Sequence, residues 1–204
     1  MTAAQTLRRM AGATLPTRVD AARTALVLID FQKEYYSGAL PLPEGEAAVE
    51  NAARLVDWAD RVGIQVVHVH HVAPSEKAPL FTPGTERVAP HDKLAPRPGH
   101  QRITKTLPSS FVKTGLDAAL KEKGIDTLIV AGLMTHMCVD STARDAVSHG
   151  YKTIVAEDAC ATRDLPDRGT GAAIPHREIH RACLTALADR FADVLSSAEI
   201  QRLA

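Results

Sequence analysis

The run Ala25-Leu26-Val27-Leu28-Ile29 is apolar without a break and stops at an acid, Asp30. A strand with one wetted face alternates apolar and polar residues. An unbroken run suits a strand buried on both faces of a parallel sheet, covered by helices above and below. Such a strand needs parallel neighbours and helical crossovers to reach them.

The rest of the chain supplies them. Gln65–Val72, Arg102–Lys105, Thr127–Ala131, Lys152–Ala156 and Phe191–Leu195 read as further strands. Between them, Glu46–Arg61 carries Val49, Ala52, Ala53, Val56 and Ala59 at helical spacing and is closed by Gly63. Further helices are expected from a Ser109 or Ser110 cap to Lys123, from near His136 to His149, and from Ile174 to Arg190. Tyr35–Gly45 and the polar stretch Asp158–Thr170 read as loops. Pro74–Gly99 holds six prolines and little periodicity, the kind of long irregular segment that often covers an active site. Strands alternating with helices predict a three-layer α/β/α fold around a doubly wound, six-stranded parallel sheet. No repeat or linker divides the chain, so residues 1–20 are expected to form an N-terminal arm and residues 21–204 one domain.

Lysine plus arginine equals aspartate plus glutamate, 24 of each. A balanced chain has no electrostatic footprint for nucleic acid or an anionic membrane, which leaves a small molecule as the expected partner. The first residues carry arginines but no apolar core run, and do not read as a secretory signal. No stretch approaches the length of a membrane span. Three cysteines, Cys138, Cys160 and Cys183, argue against a disulfide framework. A cytoplasmic protein with free thiols is expected.

Open α/β sheets bind ligands beyond the carboxyl ends of their strands, near the point where strand order reverses. Two strand ends carry chemistry. One is Asp30-Phe31-Gln32. The other is Gly132-Leu133-Met134-Thr135-His136-Met137-Cys138, which puts a thiol at the start of a helix. A helix N-terminus or a nearby cation lowers a thiol pKa, and its free N–H groups stabilise an oxyanion. Most cysteines are simply small core residues, which is how Cys183, among Ala182, Leu184 and Ala186, is read. Asp30 alone could equally be a turn acid, and Lys105 a solvated surface lysine. In Val67-His68-Val69-His70-His71, alternation puts His68 and His70 on one strand face. No second ligand motif accompanies them, so satisfied strand histidines are favoured over a metal site.

Taken together, these segments resemble the isochorismatase-like cysteine hydrolases, a family that includes nicotinamidases, N-carbamoylsarcosine amidases, ureido-compound hydrolases, streptothricin hydrolase and isochorismatase. The resemblance runs from about Thr24 to Ile200. It rests on Ala25–Gln32, on Ile103-Thr104-Lys105 followed by Ser110-Phe111, on Val130–Ala146 around Cys138, and on Glu157–Thr162. It implies Cys138 as nucleophile, Asp30 as general base and Lys105 as the cation that stabilises the thiolate. It also implies a cis Leu133–Met134 peptide, with the Met134 and Cys138 N–H groups forming an oxyanion hole. Relatives are commonly dimers or tetramers, so a homo-oligomer is expected.

Metal-dependent nicotinamidases carry an Asp-x-His…His set after the second strand. Here the stretch is His70-His71-Val72-Ala73-Pro74, so neither metal nor cofactor is expected. Phe31, Gln32, Tyr35, Tyr36 and His136 are substrate-binding candidates by position, although Phe31 could be plain core. Three readings stay open. The first is a thiol-dependent hydrolase of an amide, imide or ureido C–N bond. The second is an isochorismatase-type vinyl-ether hydrolase. The third is a non-enzymatic binding protein on the same scaffold, against which the intact set of Asp30, Lys105 and Cys138 weighs.

Overall fold

The computed structural model describes residues 4–204. In chain order the elements are α1 (Leu7–Met10), β1 (Thr24–Ile29), α2 (Gly45–Val62), β2 (Gln65–His71), β3 (Gln101–Lys105), α3 (Leu116–Glu122) and β4 (Thr127–Leu133). They continue with α4 (Asp140–Ser148), β5 (Lys152–Ala161), β6 (Leu165–Pro166), β7 (Ala173–Ile174), α5 (His176–Arg190), β8 (Asp193–Leu195) and α6 (Ser197–Ile200). Six strands form one parallel sheet in the order β3-β2-β1-β4-β5-β8, and β6 and β7 pair as a small antiparallel hairpin.

Alternate residues of each strand enter two cores. On one face Leu26, Leu28, Val66 and Ile129 meet Val49, Ala52, Leu55, Val56 and Ala59 of α2, with Ile200 of α6. On the other, Val27, Ile29, Val67 and Val130 meet Leu116 and Leu120 of α3, Ala143 and Ala146 of α4, and Leu184 and Leu187 of α5. All of β1 is buried, as its unbroken apolar pattern requires. The sheet is the expected doubly wound one. Strand order reverses between β1 and β4, so the carboxyl ends of those two strands open the crevice where a ligand can sit.

Several boundaries differ from expectation for local physical reasons. The helix expected from Ser109 or Ser110 begins only at Leu116. The Ser110 amide and hydroxyl are both engaged by the Thr142 hydroxyl at 3.0 Å, and Lys113 is left-handed (φ 56°), so residues 109–115 are held in turns. The helix expected from near His136 opens as a π-helical turn, Thr135–Val139, before α4 proper. Part of the expected Asp158–Thr170 loop is strand. β5 runs on to Ala161, because Cys160 and Ala161 pair with Gly132 and Leu133 beyond a register shift. Near the N-terminus, α1 docks on α5 and β8: Leu7 N–H donates to Asp189 of α5 at 2.8 Å, and Arg8 pairs with Asp193 of β8 at 2.6 Å. No helix among the described residues is long and apolar enough to cross a membrane.

Candidate active site

Asp30 is the first residue past β1, and it adopts a left-handed conformation (φ 56°) that few non-glycine residues occupy. Its N–H donates to the Val69 carbonyl of β2 at 2.8 Å, which holds the turn in place. At the facing end of β4, Gly132 passes so close to β1 that a Cβ would lie 2.5 Å from the Ile29 carbonyl oxygen. Only glycine lets the two strand ends approach this far. The Leu133–Met134 peptide that follows is cis. The chain then enters the π turn, whose Met134 carbonyl accepts the N–H groups of Met137 (3.0 Å) and Val139 (3.3 Å). The Cys138 N–H between them is not bound to that carbonyl. Two side-chain bonds brace the turn: Thr135 Oγ1 with His180 Nδ1 at 2.9 Å, and His136 Nδ1 with the Thr162 hydroxyl.

Asp30, Lys105 and Cys138, which span 108 residues of sequence from Asp30 to Cys138, converge here. Lys105, the last residue of β3, places Nζ 2.7 Å from Asp30 Oδ2 and 3.3 Å from Cys138 Sγ. Asp30 is fully buried, Lys105 is 1% exposed and Cys138 5%. Burying an ion pair is costly unless the charges compensate each other closely. Apart from this pairing, neither Asp30 oxygen receives a well-directed hydrogen bond, so the carboxylate keeps capacity to accept a proton.

The thiol differs from expectation. A helix start beside a cation suggested a lowered pKa, but burial pushes Cys138 up to about 12. The negative charge of Asp30 adds to the rise, and Lys105 only partly offsets it. Burial thus favours the neutral thiol over a preformed thiolate beside the Asp30 carboxylate.

The five substrate-binding candidates fare differently. Tyr35 is buried; burial holds its phenol well above its ordinary pKa, and the negative charge of Asp30 adds to the rise. The Tyr36 hydroxyl is buried without a partner, and its ring lies 4.4 Å from that of His91. His136 stands half-buried beside Cys138. Phe31 belongs to the core. Gln32 is fully engaged with backbone. Its amide donates to the carbonyls of His71 and Val88, and its oxygen accepts the His71 N–H, each at 2.8 Å.

Sequence reasoning passed over three residues here. Glu34, fully buried, accepts the N–H groups of Ala39 (2.7 Å) and Phe81 (3.0 Å) and so ties the covering loop down. His71 Nδ1 lies 3.5 Å from Lys105 Nζ. Arg163 follows Thr162 at the end of β5; its charge acts on both Tyr35 and His136, and its buried Nε has no hydrogen-bond partner. The first two carry recognisable residue types in an apolar strand or turn. Arg163 had no signal in its polar surroundings.

His68, considered as a metal ligand, instead bonds through Nε2 to His100 Nδ1 at 2.9 Å, and His100 bonds to Asp60 at 2.9 Å. Among the described residues, no group of three or more His, Cys, Asp or Glu side chains is placed to hold a metal ion. A 730 Å³ groove lined by Arg18, Arg23, Asp126 and Lys152 lies at the amino ends of β4 and β5, the opposite end of the sheet from Cys138.

The chain as a whole has known relatives. The family model of the isochorismatase domain matches residues 24–199. An uncharacterized isochorismatase family protein of Bacillus subtilis is 40% identical over 84% of this chain and 94% of its own. The maleamate amidohydrolase of Pseudomonas putida is 31% identical over 85% of this chain and 83% of its own. A crystal structure of an isochorismatase from Pseudomonas putida superposes with a TM-score of 0.89 at 36% identity, covering 97% of this chain and 100% of that one.

Proposed function

The chain belongs to the isochorismatase family of hydrolases, and we propose that it cleaves a C–N bond in a small amide, imide or ureido compound, with Cys138 as nucleophile. The observation that carries this reading is the buried Lys105 ammonium standing between the Asp30 carboxylate and the Cys138 sulfur. A vinyl-ether hydrolase or a binding protein has no need of a thiol so placed.

The steps follow from the geometry. Cys138 Sγ attacks the substrate carbonyl carbon while its proton passes to Asp30. Lys105 holds the charges in register through the transfer. The carbonyl oxygen becomes an oxyanion, for which the Met134 and Cys138 N–H groups are the donors; losing one such donor costs an enzyme about 3 kcal/mol. That the π turn leaves the Cys138 N–H off the Met134 carbonyl supports this role. The nitrogen leaves as an amine, taking the proton from Asp30. Water, giving a proton to Asp30, then attacks the thioester; the acid departs and the proton returns to the sulfur.

Arg163 narrows the substrate class. A half-buried guanidinium with an unpartnered Nε and no carboxylate within 4 Å among the described residues invites an anion. The substrate is therefore read as an amide bearing an acidic group that faces Arg163, with Tyr35 and His136 beside it. The enzyme is further read as an intracellular homo-oligomer whose three thiols stay reduced.

The test is mass spectrometry of the protein during turnover of a panel of small carboxylate-bearing amides and ureido acids. An acyl adduct on Cys138, and loss of turnover in Cys138→Ala, is the expected result. Turnover that survives Cys138→Ala would instead favour vinyl-ether chemistry, and no turnover of any candidate would favour the binding protein.

A further inference from the structure

The Lys105 ammonium has three N–H bonds and three neighbours able to take them. Asp30 and Cys138 are two, and the third is His71 Nδ1 at 3.5 Å. The sheet explains the meeting, since His71 and Lys105 are register partners at the carboxyl ends of the parallel strands β2 and β3. Residues paired this way project to the same face.

His71 is also held more firmly than an ordinary strand end. Both of its backbone polar groups are fastened by the buried Gln32 side chain, the N–H to the oxygen and the carbonyl to the amide, at 2.8 Å each. Phe81, from the covering loop, packs edge-on against its ring at 5.0 Å and 82°. Glu34 anchors Phe81 in turn by accepting its N–H. Among the described residues, the hydrogen bond to the Cys138 sulfur comes from Lys105, not from Gln32 or Glu34. The common effect of Gln32, Glu34 and Phe81 is to set one imidazole beside one ammonium.

We infer that His71 is a positioning residue for the hydrolysis, its neutral imidazole accepting the third Lys105 N–H and so aiming the ammonium at Asp30 and Cys138. This rests on the reading of Cys138 as nucleophile. The charged groups acting on the ring are Lys105 on β3 and Asp30 after β1; Phe81 and the Gln32 amide complete its surroundings. Burial, and then Lys105, hold its pKa below the ordinary histidine value, so it remains the acceptor at neutral pH. Nδ1 must be the unprotonated nitrogen for this, with the proton on Nε2.

The experiment is the rate of Cys138 carbamidomethylation by iodoacetamide across about pH 7 to 9, followed by mass spectrometry, in the wild type, His71→Asn, His71→Gln and Asp30→Asn. Below the thiol midpoint this rate rises with the thiolate fraction, so a shift of the midpoint is read as a parallel displacement of the whole profile. Asparagine puts its oxygen where Nδ1 stands; glutamine carries its oxygen out to the Nε2 position. Circular dichroism first establishes that each variant is folded. The expected result is a wild-type profile in His71→Asn and a profile about tenfold lower in His71→Gln, the scale of a lost hydrogen bond to a charged group. Profiles unchanged in both His71 variants, or lowered equally in both, would overturn the inference. Asp30→Asn separates the two levels of the argument. If it raises the profile while the His71 variants do not behave as expected, only the role of His71 fails. If it leaves the profile alone, the coupling of Cys138 to its partners fails as well.

Discussion

At Cys138 two opposing fields act on one sulfur. Burial raises the thiol pKa most, Asp30 raises it further and Lys105 lowers it, for a net value of about 12. Reactivity toward an alkylating agent and catalytic power should therefore part company. Asp30→Asn removes the negative charge, so the thiol should ionise at lower pH and alkylate faster at pH 8. The same substitution removes the proton acceptor, and turnover should fall by about 10²- to 10⁴-fold, the usual contribution of a positioned base. Steady-state rates and alkylation rates on the same sample check this; alkylation slower than wild type would show that the Asp30 charge does not bear on the sulfur. Asp30 and Cys138 were legible in the sequence because each follows a run apolar enough to be a buried strand, and strand ends are where such folds keep their chemistry. Lys105 was not legible from pattern: it ends a strand of mixed burial, and only the family resemblance singled it out. Arg163 could not be found at all, because what marks it is an Nε without a partner, a fact of space rather than of order along the chain.

The elements matter through how closely their ends approach. Gly132 sits against the Ile29 backbone of β1, with an added Cβ placed 2.5 Å from the carbonyl oxygen and 2.6 Å from the Ile29 Cβ. Backbone cannot swing aside as the tip of a side chain can. Gly132→Ala should therefore force β4 away from β1 exactly where Asp30 and Met134 emerge, destabilising the protein by about 1–3 kcal/mol, as overpacked cores do. It should also slow turnover without touching a reacting group. Chemical denaturation and steady-state rates test both. A variant as stable and active as wild type would mean that the strands have slack at this point. The same scale shows where sequence patterns mislead. Asp158 looks like the start of a loop, yet Ala159, Cys160 and Ala161 behind it are buried, and the last two pair with β4. Ser109–Gly115 looks like the first turns of a helix, but Thr142 on α4 engages Ser110 before a helix can start. In both places a partner distant in sequence decides the local structure, and no local propensity contains that information.

Over the whole molecule five histidines act in one direction. His68, His70, His71, His136 and His180 all have pKa values below the ordinary one, burial being the largest cause for each, and His68 is depressed to about 3. A base whose folded pKa is depressed stays neutral in the fold, while the unfolded chain takes up the proton near pH 6.5. Between those two values the unfolded state binds more protons, so stability rises with pH there and is lost as pH falls below about 6.5. For His68, which is only 2% exposed, the loss between pH 7 and pH 5 should be roughly 2 kcal/mol. His68→Leu removes the titrating ring. Its absolute stability should fall because His100 loses its partner, but the dependence on pH should flatten. Urea midpoints of both proteins at pH 7 and pH 5 measure the two slopes, and equal slopes would mean that His68 is not what makes the fold acid-labile. The sequence showed His68 as one of a cluster on a strand and favoured a satisfied strand histidine over a metal ligand. In the fold its partner is a neighbour 32 residues away: His100 bonds to the ring and Asp60 bonds to His100, so a ring kept neutral by burial there should cost stability as pH falls.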